Sequence, residues 1–142
     1  MEIAKVLLQP LVVLVLWTFV MWFWMYATRI PAITRSKMRL DPQRINGEQM
    51  SELPANVRWK ADNYNHLHEQ PILFYVVVLA LVLLGDTSAA SANIAWAYVA
   101  LRVVHSLVQA LVNKIELRFA LFSISSLVLL ALAIRLALRV CC

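Results

Sequence analysis

Apolar positions run almost without interruption from Val6 to Ala27, resume from Pro71 to Leu84, and return over Ala89 to Val112 and Ile115 to Val140. The first run, about 22 residues rising roughly 1.5 Å each, reaches about 33 Å and is long enough to cross a hydrocarbon core. Trp17, Trp22, Phe23, Trp24 and Tyr26 crowd its far end just before Arg29, where aromatic rings anchor a helix at the membrane interface. The run is too long for the apolar part of a secretory signal, and no small-x-small cleavage site precedes the polar region, so a retained helix is expected. The pattern predicts helices over about 4–28, 56–84, 89–112 and 115–140, joined by a loop over about 29–55. Pro31, Pro42, Gly47 and Pro54 punctuate that loop. At about 27 residues it is longer than ordinary connections and is expected to fold over, or pack on, the bundle.

The second helix carries more than an apolar run. Pro71 to Leu84 is only about 14 residues, too few to span, so the polar residues before it must enter the bundle. Asp62, Asn65, His66 and Glu69, with Arg58 one turn earlier, recur at three- and four-residue spacing and share one helical face. Pro71 removes a backbone donor, which predicts a kink just past Glu69. On the third helix Arg102, His105, Ser106, Gln109 and Asn113 form a second stripe. Measured from the polar loop, Glu69 lies roughly 20 Å and Arg102 roughly 15 Å into the helices, close enough in depth to meet. The fourth helix is apolar except for Arg118 at its entry and Arg135 and Arg139 near its exit, whose long stems are expected to snorkel to the interface.

Composition narrows the class. A mean hydropathy of +0.72 with 62% hydrophobic and 15% charged residues marks an all-α integral membrane protein, a four-helix bundle forming one domain over residues 1–142. The net charge of +5 is not gathered into a soluble basic face, so no nucleic-acid partner is expected. Arg29, Arg35, Lys37, Arg39, Arg44, Arg58 and Lys60 cluster around the first connection, and Lys114 and Arg118 flank the third. By the positive-inside rule those two connections face the cytoplasm, across the inner (plasma) membrane if the source is bacterial. Cys141 and Cys142 form neither a disulfide framework nor a metal-ligand spacing; they read as a frayed tail, or as a lipidated or redox-active pair. His66, His68, His105 and Glu69 are the available metal ligands, but His66 and His68 point to different faces, and no metal is expected.

Ionisable groups at membrane depth are costly and are usually retained for function. One reading is that Glu69 and Arg102 form a buried pair that locks two helices together. The surplus of polar groups along both stripes favours the walls of a cleft. Arg, His, Asn, Gln and Glu suit a small zwitterionic or anionic ligand, because guanidinium forks grip carboxylates and a glutamate receives an amine. With lipid at its apolar rim, such a cleft would join a polar co-substrate to an oily one.

Arg102-Val103-Val104-His105-Ser106 resembles the Arg-x-x-His-(Ser/Thr) motif on the third helix of the membrane-associated proteins in eicosanoid and glutathione metabolism (MAPEG), and Glu69 followed by Pro71 resembles that family's second-helix glutamate and nearby proline. The likeness extends over nearly the whole chain, including the helix lengths and the basic first loop. It implies a homotrimer that binds glutathione between neighbouring subunits and acts on a hydrophobic small molecule drawn from membrane lipids. Arg118 would be the thiol-activating cation with Lys114 as understudy, while Arg102, His105 and Glu69, together with Arg58, Asn65, His66 and Gln109, would hold the peptide. The family's Arg-x-x-x-Asn-x-x-Glu places Asp62 at the arginine position and His66 at the asparagine position, so Arg58 and Asn65 serve only after a small shift. Gln109 stands where a tyrosine is expected. The segment from Asp62 to Tyr75 looks more like a bacterial, less characterised branch than like eicosanoid-forming members. Three functions remain open here: a glutathione- or thiol-dependent transferase or peroxidase, a non-catalytic lipid-binding or partner-presenting protein, and a proton or ion relay through Glu69, His66 and His105.

Overall fold

The computed structural model describes residues 2–45, 47–86 and 88–141, and every regular element among them is helical. In chain order these are α1 (Glu2–Arg35), α2 (Glu48–Ser51), α3 (Ala55–His66), α4 (Gln70–Leu83), α5 (Ala89–Leu111) and α6 (Ile115–Cys141). Four segments are long and apolar enough to cross a membrane: Lys5–Arg35, Ala55–Leu83, Ala89–Leu111 and Ile115–Cys141. The protein is thus an all-α, multi-pass integral membrane protein. Cys141 is exposed, and Cys142 lies outside the described residues.

α1 continues to Arg35, whereas the breaker pattern ends it near Thr28. Pro31 removes only its own backbone donor, and the surrounding turns are held locally. The Thr28 hydroxyl donates to the Trp24 carbonyl at 3.0 Å, and the Thr34 hydroxyl donates to the Ile30 carbonyl at 3.0 Å. The helix ends where Lys37 turns left-handed at φ 52° and the Met38 amide reaches back to the Ile33 carbonyl at 3.4 Å. The shortened connection is ordered against α2. Gln49 Nε2 donates to the Arg39 carbonyl at 2.7 Å, and its Oε1 accepts from the Asp41 amide at 2.9 Å.

The second span is broken, not merely kinked. Proline at 71 leaves the Leu67 carbonyl without its donor four residues on, and the backbone at Glu69 turns to φ −93°, ψ −97°. The gap is drawn tight by shorter bonds, from the His68 amide to the Asn65 carbonyl at 2.9 Å and from the Glu69 amide to the His66 carbonyl at 3.3 Å. Glu69 therefore leaves the helical register that placed it on one face with Arg58, Asp62 and Asn65.

α5 is the most enclosed of the four spans. Ser91, Ala92 and Ala95 are buried on it, and such small side chains let neighbouring helices approach closely. The core they join contains Leu7, Leu14 and Met21 from α1, Phe74, Val78 and Leu81 from α4, and Leu129 and Leu132 from α6. Phe19, Phe23, Leu83 and Leu127 face outward, as lipid-facing positions should.

Far from the basic loop, Arg135 and Arg139 do more than snorkel. Arg135 Nε donates to Ser91 Oγ at 2.8 Å and Nη2 donates to Ser88 Oγ at 2.8 Å. Arg139 Nη2 lies 3.3 Å from Asp86 Oδ1, whose carboxylate also accepts from the Ser91 hydroxyl and the Ser88 amide. Burial pushes the Asp86 carboxyl upward, but the hydrogen bonds from Ser91 and Ser88, aided by Arg139, outweigh it and hold Asp86 below its ordinary value. The α4–α5 turn is thereby tied to the end of α6.

Candidate functional site

The α5 stripe turns inward. Arg102, His105, Ser106 and Gln109 are all buried, and Arg102 is only 1% exposed. None of its three guanidinium nitrogens has a hydrogen-bond partner. Instead the guanidinium carbon lies over two aromatic faces, 5.7 Å from the centre of Tyr98 and 5.6 Å from that of Phe122. These are cation–π contacts, which offset only part of the cost of removing a charge from water.

The pair between Glu69 and Arg102 is not formed. Glu69 Oε2 lies 2.7 Å from His66 Nδ1, with the glutamate side chain 67% exposed. The His66 ring then stacks toward His105 at 5.0 Å and toward Phe122 at 5.4 Å. A recess of about 250 Å3 is lined by His66, His105, Ile115, Arg118, Phe119 and Phe122. Arg118 is steered into position by Asn113, whose Oδ1 accepts from Nη1 at 2.6 Å, while its Nε has no partner. Asn113 can turn toward it because its backbone is left-handed at φ 54°, a conformation that asparagine tolerates well at a helix end.

The remaining expected residues do not share this recess. Arg58 and Asn65, with Asp62, line a second one of about 410 Å3 that also takes in Arg29, Gly47, Met50, Ser51 and Ala61. Gln109 is buried with its Oε1 unpartnered, and Lys114 is exposed. His68 turns the other way: its Nδ1 lies 2.9 Å from the Tyr64 carbonyl, and the side chain borders an apolar groove of about 180 Å3 with Val15, Thr18, Phe19, Trp22 and Tyr75 among its walls. Among the described residues no His, Cys, Asp and Glu are grouped to hold a metal ion.

Three residues escaped the sequence reading. Asn63 is fully buried, with both side-chain amide atoms unpartnered; it precedes His66 by three, so its place on an inward face was legible from spacing. Gln70 and Phe122 had no such signal. Gln70 is the centre of a chain of bonds: its Oε1 accepts from the Tyr98 hydroxyl at 3.4 Å, its Nε2 donates to Ser126 Oγ at 2.7 Å, and Ser126 Oγ donates to the Phe122 carbonyl at 2.7 Å.

Chemically, the recess offers the Arg118 guanidinium with a spare donor and two imidazoles beside the apolar side chains Ile115, Phe119 and Phe122, and a second guanidinium with spare donors, Arg102, lies behind Phe122 outside the wall. Such a set suits an anionic group carried on, or meeting, an oily molecule. No curated protein and no solved structure matches the chain. The model of the MAPEG family matches residues 7–138, from the first turns of α1 to the last of α6; the chain belongs to the MAPEG family.

Proposed function

We propose that this membrane protein uses glutathione or a related thiol to modify a hydrophobic substrate, either by transferring sulfur to an electrophile or by reducing a peroxide. The observation that carries the reading is the buried, unpartnered guanidinium of Arg102 behind a recess that also holds Arg118. A buried cation that no carboxylate touches is disfavoured by several kcal/mol, about the effective penalty of desolvating an ion; the through-space pull of Glu69 offsets only part of this, and the arrival of an anion relieves more. Arg118 supplies positive charge where a thiol sulfur would sit, which favours the thiolate, the reactive nucleophile. In transfer, the sulfur forms a bond to carbon as the leaving group departs with its electron pair. In reduction, the thiolate takes one peroxide oxygen, an alcohol leaves, and a second thiol converts the sulfenic acid to a disulfide and water.

Glutathione brings two carboxylates and one ammonium, and the chain has groups for each. Arg29 and Arg58 in the second recess match one carboxylate, Arg102 behind the first recess matches the other, Asp62 matches the amine, and Asn65 adds an amide. Asp62 at the family's arginine position then changes which end of the peptide is gripped there, not whether it is gripped. In our reading His66 and His105 line the thiol end, Glu69 fixes His66, and Gln109 lies buried one turn beyond His105 on α5. A homotrimer would bring the second recess of one subunit toward the first recess of another. Exposed Ile115 and Phe119 form the rim through which an oily substrate would pass from lipid. The basic first and third connections are assigned to the cytoplasmic side.

The test is thermal unfolding of the purified protein with glutathione, together with ultraviolet absorbance of the thiolate. At a concentration 100 times Kd, binding adds about 2.7 kcal/mol of stability. Arg118→Gln should retain binding and lose the thiolate signal. Failure of glutathione and simpler thiols to raise the melting temperature sinks the reading. The apolar groove beside His68 favours a second one, a non-catalytic lipid-binding protein, and a copurifying acyl lipid with no response to thiols would establish it.

A further inference from the structure

We propose that Phe122 is a gate that decides whether an anion in the recess can reach Arg102. The inference rests on the proposed use of the recess by an anionic co-substrate, but its geometry stands by itself. Phe122 lines the recess and also covers the Arg102 guanidinium, with 5.6 Å between the ring centre and the central carbon. Arg102 itself is absent from the recess wall and 1% exposed. The guanidinium donors are therefore held between Tyr98 and Phe122 without a hydrogen-bond partner, and on the recess side the Phe122 ring covers them. A carboxylate or thiolate on the recess side gains the strong, charge-assisted bonds of a guanidinium only when the ring turns aside.

The gate has a latch. Ser125 Oγ at 2.9 Å and Ser126 Oγ at 2.7 Å both donate to the Phe122 carbonyl, the kind of side-chain bonding that bends and loosens a helix at the residue that accepts. Ser126 is held in turn by Gln70, and Gln70 accepts from Tyr98, the second ring over Arg102. The two aromatic covers of the guanidinium are thus joined by one run of hydrogen bonds through Gln70. Gln70 follows the break at Leu67–Glu69 directly, one residue after the exposed Glu69 that grips His66. A ligand that moves His66 or Glu69 therefore pulls on the latch, which makes the anion subsite at Arg102 conditional on occupancy of the outer recess.

Phenylglyoxal modification of arginine, read by peptide mass mapping of Arg102 in the intact protein in bilayers, tests the gate without glutathione. In the native protein Arg102 should react slowly. If the open state holds roughly a tenth of the population or less, Phe122→Ala should raise the rate at Arg102 about tenfold or more, while Phe122→Tyr, which keeps the ring, should not. Gln70→Leu, which cuts the latch and keeps both rings, should give an intermediate rise and carries the test if Phe122→Ala fails to fold. Fast reaction of Arg102 in the native protein overturns the gate, as does an unchanged rate in both Phe122→Ala and Gln70→Leu, or an equal rise in Phe122→Tyr. A gated Arg102 in a protein that ignores glutathione would sink the thiol reading and leave the gate standing; glutathione binding with an ungated Arg102 would do the reverse.

Discussion

Arg102→Met should make the protein more stable while it abolishes anion binding. The guanidinium is 1% exposed and has no hydrogen-bond partner at any of its three nitrogens. Its compensation consists of two cation–π contacts at 5.6 and 5.7 Å, worth about 0.5–2 kcal/mol each. Against this stands a desolvation penalty of several kcal/mol for a buried ion, roughly 3–6 kcal/mol after relaxation. Methionine keeps the unbranched stem and places a polarizable sulfur against the same rings, for about 0.3–1.5 kcal/mol. The balance favours the substitution by about 1–3 kcal/mol, within the range found when buried ions are replaced by apolar side chains of similar volume.

The assay is equilibrium unfolding of both proteins in the same detergent, once alone and once with glutathione. Without ligand, Arg102→Met should unfold later than the native protein; with ligand, only the native protein should move. A loss of more than about 2 kcal/mol in the ligand-free variant would refute the reasoning, since it would mean that the guanidinium is a structural pin, as breaking a satisfied buried pair is. The outcome separates a helix lock from a binding group more cleanly than an activity measurement, because the two readings differ in sign.

Other outcomes follow from the same geometry. Glu69→Gln should cost less than about 1 kcal/mol, because the pair with His66 leaves the glutamate side chain 67% exposed and such pairs are screened by water; chemical unfolding checks it. Asp86→Asn should lower stability by about 1–3 kcal/mol, because the ion pair with the half-exposed Arg139 is lost, and the amide nitrogen that replaces one carboxylate oxygen cannot accept, so either the Ser88 amide or the Ser91 hydroxyl loses its acceptor. Since Asp86 is held below its ordinary value in the fold, its contribution is complete above the unfolded value near 4 and disappears as pH falls through the lower folded value. Melting curves of the native protein should therefore decline below about pH 4 more steeply than those of Asp86→Asn. Gly47→Ala should cost about 1 kcal/mol through the left-handed backbone alone, as φ is +87° and an added methyl meets nothing within 4 Å; hydrogen exchange across the first connection should report its local loosening.

The membrane spans are legible because hydrocarbon imposes length and polarity together: three apolar runs satisfy both, and the shortness of the fourth, Pro71 to Leu84, shows that the polar residues before it complete the span. The α5 stripe was legible for a related reason: the helix is unbroken, so three-and-four spacing from Arg102 to Gln109 translates directly into one buried face. The second-span stripe does not stay one face: Arg58, Asp62 and Asn65 line one recess, His66 lines the other, and Glu69 is exposed. Spacing carries a residue around a helix only while the helix lasts, and α3 ends at His66. Beyond that, the backbone at Glu69 sends the carboxylate outward to His66 in place of Arg102. The sequence predicts only a kink at the proline that causes the break, because it shows which donor is missing but not whether neighbouring helices restore the turn. Phe122 and Gln70 were illegible, since an aromatic residue in an apolar run and a glutamine beside a proline acquire their meaning only when α4, α5 and α6 meet.

That break reorganises the logic of the site. Had Glu69 continued in register and reached Arg102, the two charges would have neutralised each other, and an incoming anion would have had to displace a carboxylate from a buried pair. Because the helix stops first, the carboxylate bonds to His66 and reaches the guanidinium only through space, leaving it between the rings of Tyr98 and Phe122 with no hydrogen-bond partner within bonding distance. Aromatic covers attract a cation without accepting its N–H donors, so they make the buried state tolerable while keeping the donors available. Restoring the register should therefore be more damaging to binding than removing Glu69: Pro71→Ala, which returns the missing donor, should lengthen α3 toward Glu69, favour the Glu69–Arg102 pair, and weaken glutathione binding at least tenfold, about 1.4 kcal/mol. Combining it with Glu69→Gln should recover most of that loss, since an uncharged amide cannot hold the guanidinium as an ion pair. Titration of the four proteins with glutathione decides the matter, and a Pro71→Ala loss that persists in the double variant would show that the proline acts by shaping the backbone and not by keeping the carboxylate away from Arg102.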